Sequence, residues 1–521
     1  MPRTRATIVL LLAIALATPA LAKPRRPAAE IEKLLEQSDA RRAFWGVEVY
    51  SLKSGKVLYS HHPNKLFTPA SLTKLFTTAG VLALIGPDYN FRTTVETTGN
   101  LDRYGRLTGD LALVGRGDPN LSGRSLPYNL RTERKGSPSQ VIEQLADELV
   151  AKGLKYVDGD LVADDSYYPL ERYGEGWSQE DLVSQWGAPV SALTINDNLM
   201  FVSVRPGDRS GERAFVTLDP FAENYQVDNR IITTPAGTGP RSITINRQPG
   251  STRLSLWGTI PLDDPGATEA LAIDDPAEFA AQLFRQALER RGVVIFGRNR
   301  VRHTDLSSLQ TVRVTSIANP GGGSSTSGAN QPLVLATHLS QPVIQDIRVI
   351  NKVSQNLHAE LMLRLLGREK GNSGTIEGGL EVLRGFLVQA GIDPGEFDFH
   401  DGSGLSRMNL VSPHAIVQLL SYANGQPWGT EYRQTLPVAG EDGTLADRFE
   451  NTPAQGHVFG KTGSLTHVTN LAGYVTTAGG DDLAFAILCN NGTMQSKRVM
   501  EIMDQIVELF VNDATLEKRK K

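Results

Sequence analysis

The placement of extended runs, at both ends of the chain with helical pattern between them, constrains the fold more than any other feature of this sequence. Ala43 to Leu52 and Lys56 to Ser60 read as two strands parted by the short turn Lys53-Ser54-Gly55. Far downstream, His457 to Lys461, Leu471 to Thr476 and Leu483 to Leu488 alternate like antiparallel strands. Between the two sets, Val343 to Leu366 is helical in pattern, and Gly374 to Gly391 is a second helix closed by glycine. Ser496 to Val511 is an amphipathic helix whose Val499, Ile502, Met503, Ile506, Val507 and Phe510 suit the cover of a sheet better than a membrane. A sheet is therefore expected to be assembled from the two termini, which makes the middle an insertion. That middle, about Phe91 to Val314, has its own character. Short β-like runs such as Gly109 to Val114 and Leu199 to Val204 are broken by Gly, Pro, Asn and Asp, with helical stretches near Ser139 to Lys152 and Glu278 to Arg291. Gly321 to Gln331 reads as a flexible linker or a plain surface loop.

At roughly 100–200 residues per domain, the 521 residues predict two to four domains with real cores. A formal charge of −4 over this length gives no basic field for phosphates, which argues against nucleic acid as a partner. Arg3 and Arg5 precede the uncharged run Ala6 to Ala17, too short to span a bilayer, and Ala20-Leu21-Ala22 supplies a small-x-small cleavage pattern. Residues 1–22 thus read as a signal peptide cleaved near Ala22, and the mature protein as exported to a periplasm or cell envelope. The single cysteine, Cys489, lies in an apolar run and reads as a small buried hydrophobe, with no disulfide available to it. The tail Lys518-Arg519-Lys520-Lys521 could hold anionic lipid loosely, though a solvated end is the favoured reading. Oligomeric state is left open.

Three motifs stand in chain order: Ser71-Leu72-Thr73-Lys74, Ser354-Gln355-Asn356 and Lys461-Thr462-Gly463. Singly each is weak; together, in order and in fitting secondary structure, they point to chemistry. Ser71 precedes the apolar series Leu72, Leu75, Phe76, Ala79, Val81 and Leu82, so it belongs at the start of a buried helix. On a helix, residues three apart share a face, which brings the Lys74 amine to the Ser71 hydroxyl. That lysine must be neutral to take a proton, so its pKa must be depressed by burial and by a second cation, for which Lys461 on a neighbouring strand is the natural candidate. Ser354 and Asn356 can offer a proton relay and an amide donor to one cleft. Lys461 and Thr462 suit a substrate carboxylate, and Gly463 would let a ligand backbone lie close to the strand. The chemistry that uses such a set is acyl transfer through a serine ester at the C-terminal residue of a peptide.

The set resembles the active-site-serine penicillin-binding proteins, with their S-x-x-K, S-x-N and K-T-G pattern. The long stretch between Ser71 and Ser354 resembles the low-molecular-mass class C group, the D-alanyl-D-alanine carboxypeptidase/endopeptidases. Similar to that group are also the segments 113–119 (LVGRGDP), 192–198 (ALTINDN), 401–406 (DGSGLS) and 442–445 (DGTL), so the resemblance covers essentially the whole mature chain. It implies an α/β (α+β) fold: a transpeptidase/β-lactamase-like domain with an antiparallel sheet flanked by helices, made of 23–91 and 335–521. Two inserted β-rich domains are implied, one of 92–114 and 196–334, the other of 115–195 nested within it. The resemblance further implies Ser71 as acylated nucleophile, Lys74 as general base, and Ser354 and Asn356 in proton transfer and substrate orientation. Lys461 and Thr462 would hold the terminal carboxylate, and the backbone N–H groups of Ser71 and Ser464 would form an oxyanion hole. Peptidoglycan peptides are the implied substrates and β-lactams the implied covalent inhibitors, with no metal and no organic cofactor. Gln355 departs from the Asp common at that place in the family.

Rival readings are a serine β-lactamase, which shares the motifs but not the long insertion, and a non-catalytic wall-binding scaffold, which intact motifs disfavour. The nine histidines form no H-E-x-x-H pattern, against a metallopeptidase. Asp401-Gly402-Ser403-Gly404 lacks a glycine two places before Ser403, so it reads as a turn lining the cleft and not as a nucleophile elbow.

Overall fold

In the computed structural model, which describes residues 27–126, 136–307 and 331–512, the two ends of the chain meet in one five-stranded sheet. Helix α1 (Pro27–Leu35), strands β1 (Phe44–Ser51) and β2 (Lys56–His61) and helix α2 (Thr73–Leu84) come first. The insertion then contributes β3 (Arg92–Thr97), β4 (Leu111–Val114), β5 (Leu161–Pro169), β6 (Leu199–Arg205), β7 (Gln226–Thr234), β8 (Ser242–Asn246) and β9 (Arg253–Pro261). It closes with α3 (Pro276–Glu289), β10 (Asn299–Thr304) and β11 (Leu333–Leu339). Helices α4 (Val343–Lys352), α5 (Asn356–Lys370), α6 (Ile376–Gln389) and α7 (Pro413–Asn424) follow. Strands β12 (Val458–Leu465), β13 (Val468–Thr476) and β14 (Asp482–Asn490) lead to helix α8 (Ser496–Val511).

The terminal sheet runs β2-β1-β14-β13-β12, antiparallel throughout, as the two sets of extended runs required. Its central strands are covered on both faces, and their side chains divide by alternation. Leu483, Phe485, Ile487 and Cys489 pack with Ile31 and Leu35 of α1 and with the expected stripe of α8. Ala484, Ala486 and Leu488 face the other way, toward Leu75, Phe76 and Ala79 of α2 and the apolar side of α7. Small residues on that face let α7 lie close to β14. Burial raises the Cys489 thiol to about 12, in keeping with a buried hydrophobe.

The insertion has a core of its own, around Val95, Leu113, Leu145 and Phe284. A five-stranded sheet, β10-β5-β4-β3-β11, forms its centre. Strand β5 lies inside the range 115–195 expected as a nested unit, yet it pairs in parallel with both β4 and β10 at the middle of that sheet. Likewise the expected boundary at 334/335 falls within β11, which pairs with β3. Long-range parallel pairing leaves no local mark in sequence. Tyr168, Val190 and Ala192 of the insertion pack on Leu357 and Leu361 of α5, which seats the insertion over the helix that begins with Asn356.

One element differs from expectation near the site. Val343 to Leu366 reads as a continuous helix but is broken: α4 ends at Lys352, Ser354 takes φ +61°, and α5 restarts at Asn356. The restart is capped by Gln355, whose Oε1 accepts from the Leu357 N–H at 3.0 Å. With neither Gly nor Pro at the break, the apolar period runs through it unannounced. The signal peptide of residues 1–22, the linker residues 321–330 and the basic tail 518–521 lie outside the described residues. Among the described residues no helix is long and apolar enough to cross a membrane.

Candidate active site

Ser71 lies in a short 3-10 turn, Ala70–Leu72, that runs into α2. Ala70 is left-handed at φ +49°, a conformation a non-glycine residue keeps only when its surroundings hold it. Those surroundings come from the C-terminal part of the chain. Asn470 Nδ2 on β13 donates to the carbonyls of Thr68 and Pro69 at 3.0 and 2.8 Å, and Asn490 Oδ1 on β14 accepts from the Thr68 N–H at 2.7 Å. Gly404, at φ +84°, closes from the other side: a Cβ there would stand 1.8 Å from the Ala70 carbonyl oxygen. Gly463 does the same on β12, where a Cβ would meet the Pro69 oxygen at 2.6 Å and the Ser71 nitrogen at 3.3 Å. The room that Gly463 leaves is therefore filled by the serine turn and not kept for a ligand backbone.

Lys74 is fully buried, and its Nζ has three partners: Ser71 Oγ at 2.9 Å, Asn356 Oδ1 at 2.6 Å and the Ser403 carbonyl at 2.6 Å. Asn356 Oδ1 and the Ser403 oxygen can only accept, so they fix two N–H bonds of the amine. In the neutral amine the remaining tetrahedral direction is a lone pair aimed at the Ser71 hydroxyl. Burial pushes the Lys74 pKa down to about 7, against the opposing pull of the Asp401 and Glu360 carboxylates. Of the two causes expected, burial and a second cation, burial is the one that lowers Lys74. The repulsion between the two amines appears instead on Lys461, lowered well below its ordinary value first by burial and then by Lys74.

Lys461 reaches the same cleft from β12, the edge of the sheet, and donates to Ser354 Oγ at 2.9 Å and to the Thr462 carbonyl at 2.8 Å. Ser354 thus stands on its left-handed residue at the helix break, held by that amine. Asn356 opens α5 and donates from Nδ2 to the Trp186 carbonyl at 2.9 Å, so the insertion forms one wall of the cleft. Thr462 donates its hydroxyl to Thr444 Oγ1 at 2.8 Å, which ties the DGTL segment to the edge strand. Ser464 is exposed on β12 beside Gly463. The structure brings Ser71, Lys74, Ser354, Asn356, Lys461 and Thr462 together through these contacts, with Ser464 on the adjoining edge. Gln355, outside the motif chemistry, donates from Nε2 to Asp197 Oδ2 at 2.9 Å across to the insertion.

Sequence reasoning missed the supports. Asp401 accepts from the N–H groups of Gly404 and Ser406, from Asn409 and from Trp177 Nε1, while Glu360 accepts from the N–H groups of Gly402 and Ser403. Together they shape the turn so that the Ser403 carbonyl faces Lys74. The turn was legible as a cleft liner; the two carboxylates behind it were not. Burial and the Asp401 charge lift the Glu360 carboxyl to about 7.

A buried amine of lowered pKa beside a serine hydroxyl, with a second amine at a sheet edge, is the equipment of serine acyl transfer as the penicillin-binding and β-lactamase-like fold carries it. The chain belongs to the D-Ala-D-Ala carboxypeptidase 3 (S13) family, whose model matches residues 27–320 and 311–512. It is 35 % identical over 475 residues to a D-alanyl-D-alanine carboxypeptidase of Actinomadura sp. (strain R39), covering 89 % of this chain and 80 % of that protein. Its fold matches penicillin binding protein 4 of Haemophilus influenzae at a TM-score of 0.77 and 22 % identity, over 92 % of this chain and 99 % of that one. The same Haemophilus protein complexed with a β-lactam matches at a TM-score of 0.68 and 21 % identity, over 93 % and 99 % of the two chains.

Proposed function

We propose that the protein is a serine D-Ala-D-Ala carboxypeptidase/endopeptidase that acts on peptidoglycan stem peptides through an acyl-enzyme and is blocked by β-lactams. The observation that carries this reading is the Lys74 amine, pinned by Asn356 and the Ser403 carbonyl so that its third direction meets Ser71 Oγ at 2.9 Å. Lys74 takes the Ser71 proton as Oγ attacks the carbonyl carbon of the penultimate D-Ala. The N–H groups of Ser71 and Ser464 steady the oxyanion. The C–N bond breaks as the leaving amine receives a proton by way of Ser354, and water then cleaves the Ser71 ester to free the shortened peptide. Asn356 orients the substrate amide. A terminal carboxylate beside Lys461 and Thr462 supplies the counter-charge that burial denies Lys461. Opening of a β-lactam ring follows the same attack and leaves Ser71 acylated.

The S13 family match over nearly all the described chain supports a peptidase over a β-lactamase or a non-catalytic scaffold. Export to a periplasm or envelope, after cleavage near Ala22, belongs to the same reading. The test is digestion of purified muropeptides followed by mass measurement, with Ser71→Ala as control. Monomers losing one alanine establish the carboxypeptidase and dimers splitting establish the endopeptidase. Unchanged substrates, with no labelling by a fluorescent penicillin, would overturn both.

A further inference from the structure

In the insertion, strands β7, β9 and β8 form a three-stranded sheet whose buried side chains on β7 and β9 lie on one face, around the middle of the central strand. Leu254, Leu256, Ile231 and Ile260 turn into the insertion's core. On the opposite face, at the middle of the central strand, Trp257 stands 44 % exposed. The pairing register puts Arg230 of β7 and Thr244 of β8 on either side of it, and Asp228 and Asn246 on either side of Ser255, two residues along on the same face. Among the described residues, no side chain bonds to the Trp257 indole or to the side chains of Thr244, Asn246 and Ser255. With strands about 4.8 Å apart and a rise of about 3.3 Å per residue, the face around the indole is about 10 Å wide and somewhat longer.

The indole offers a large flat apolar surface in the middle of a polar face, and its neighbours decide what such a surface could hold. Beside the ring on this face stand hydroxyls, an amide and an ion pair, with Ile232, 39 % exposed, two residues along β7 from Arg230. A nucleic acid needs uncompensated cations, yet Asp228 sits between two guanidiniums, accepting from Arg230 Nη2 at 2.6 Å and Arg253 Nη2 at 3.5 Å. A sugar ring fits both halves of the surface. Its C–H face is apolar and can lie flat on the indole, while its rim of hydroxyl and amide groups meets Thr244, Asn246, Ser255 and Arg230. The one guanidinium in excess suits a polymer of neutral sugars that carries carboxylates on its side groups.

We infer that the outer face around Trp257 is a saccharide-binding platform for the amino-sugar strands of the cell-wall polymer. The choice of polymer rests on the function proposed above; the sugar chemistry rests on the face itself. The platform holds the glycan while a stem peptide is turned over in the cleft.

The test uses the full chain carrying Ser71→Ala, so that nothing is consumed, and measures co-sedimentation with two insoluble probes: intact sacculi, and glycan strands stripped of peptide by an amidase. Trp257→Ala is expected to weaken retention about tenfold on both, Trp257→Phe to weaken it less, and Thr244→Ala with Asn246→Ala to weaken it on a chain that keeps the indole. In the otherwise wild-type enzyme, Trp257→Ala should leave turnover of a sugar-free pentapeptide unchanged. Equal retention of all variants overturns the proposal, as does loss confined to intact sacculi, which would locate recognition in the peptide. A dimer in solution that Trp257→Ala dissolves would make the face a contact between copies and also overturn it. If Trp257→Ala does not fold, the Phe and the Thr244/Asn246 variants decide by the same readouts. Failure of the wild type to cleave the pentapeptide sinks the peptidase reading but leaves the stripped-strand result standing.

Discussion

The terminal sheet and the sheet of β7, β9 and β8 are built to opposite plans. In the terminal sheet every residue from Val468 to Val475 is buried, because helices cover both faces, and what is left for another molecule is the edge strand that carries Lys461 to Ser464. In the insertion, β9 turns Leu254, Leu256 and Ile260 inward and Arg253, Trp257 and Thr259 outward, β8 alternates half-buried with exposed positions, and what is left is a whole face. An edge beside a fixed helix can hold a few atoms in one geometry, as bond making requires. A flat face offers area and polar variety with little geometric demand, as holding a polymer requires. The contrast suggests that the catalytic body accounts for the chemistry and the insertion for placement.

That division is best broken by substitutions that act on one property alone. The largest expected effect is from Ser71→Ala, which should lower penicillin acylation and peptide turnover by about 10⁴-fold or more while leaving the melting temperature within a degree or two, because the side chain is half-buried and small. Acylation that survives this change would remove the catalytic half of the contrast. Next come paired aromatic truncations. Phe485→Ala, in the doubly covered sheet, should cost about 3–5 kcal/mol in urea unfolding, and Trp257→Ala, on the open face, less than about 0.5 kcal/mol. Similar costs at the two sites would show that the outer face is packed after all.

A smaller effect reads the electrostatics of the cleft. In the proposed mechanism Lys74 takes the proton as an uncharged base, and with its pKa pushed down to about 7 the base form is depleted as pH falls. Acylation rates are expected to rise through about pH 7, level off above about pH 8 and drop roughly tenfold per unit below about pH 6. A profile flat from about pH 5 to about pH 8 would mean that another group takes the proton. The smallest effect tests packing alone: Gly385 lies inside α6 with nothing within 4 Å of where a Cβ would stand, so Gly385→Ala should stabilise by about 0.5–1 kcal/mol without touching activity. Gly463→Ala, by contrast, must displace the Pro69 carbonyl and should slow acylation.

Much of the cleft was legible because its chemistry is written in short spacings. Ser71 and Lys74 needed only a helix, and Lys461 with Thr462 only a strand. The supports were not legible, since each is a tertiary contact to backbone. Asn470 and Asn490 read as ordinary polar residues in apolar strands, and nothing local says that both reach the loop before Ser71. Trp186 takes part through its carbonyl, which any residue would supply. Burial of Lys74 was legible from the apolar series around it, but its completeness becomes visible only when Asn356 and the Ser403 turn close over the amine. The central sheet of the insertion was not legible for a related reason: β5 joins strands far away in sequence.

The asparagine that clamps the loop before the reactive serine is encoded 401 residues after the carbonyl it holds. During synthesis, then, the nucleophile emerges early and stays harmless, since the pieces that arm it come off the ribosome last. A nascent or truncated chain lacking β12 to β14 would carry the serine without the site, and the enzyme switches on only when its own two ends have met.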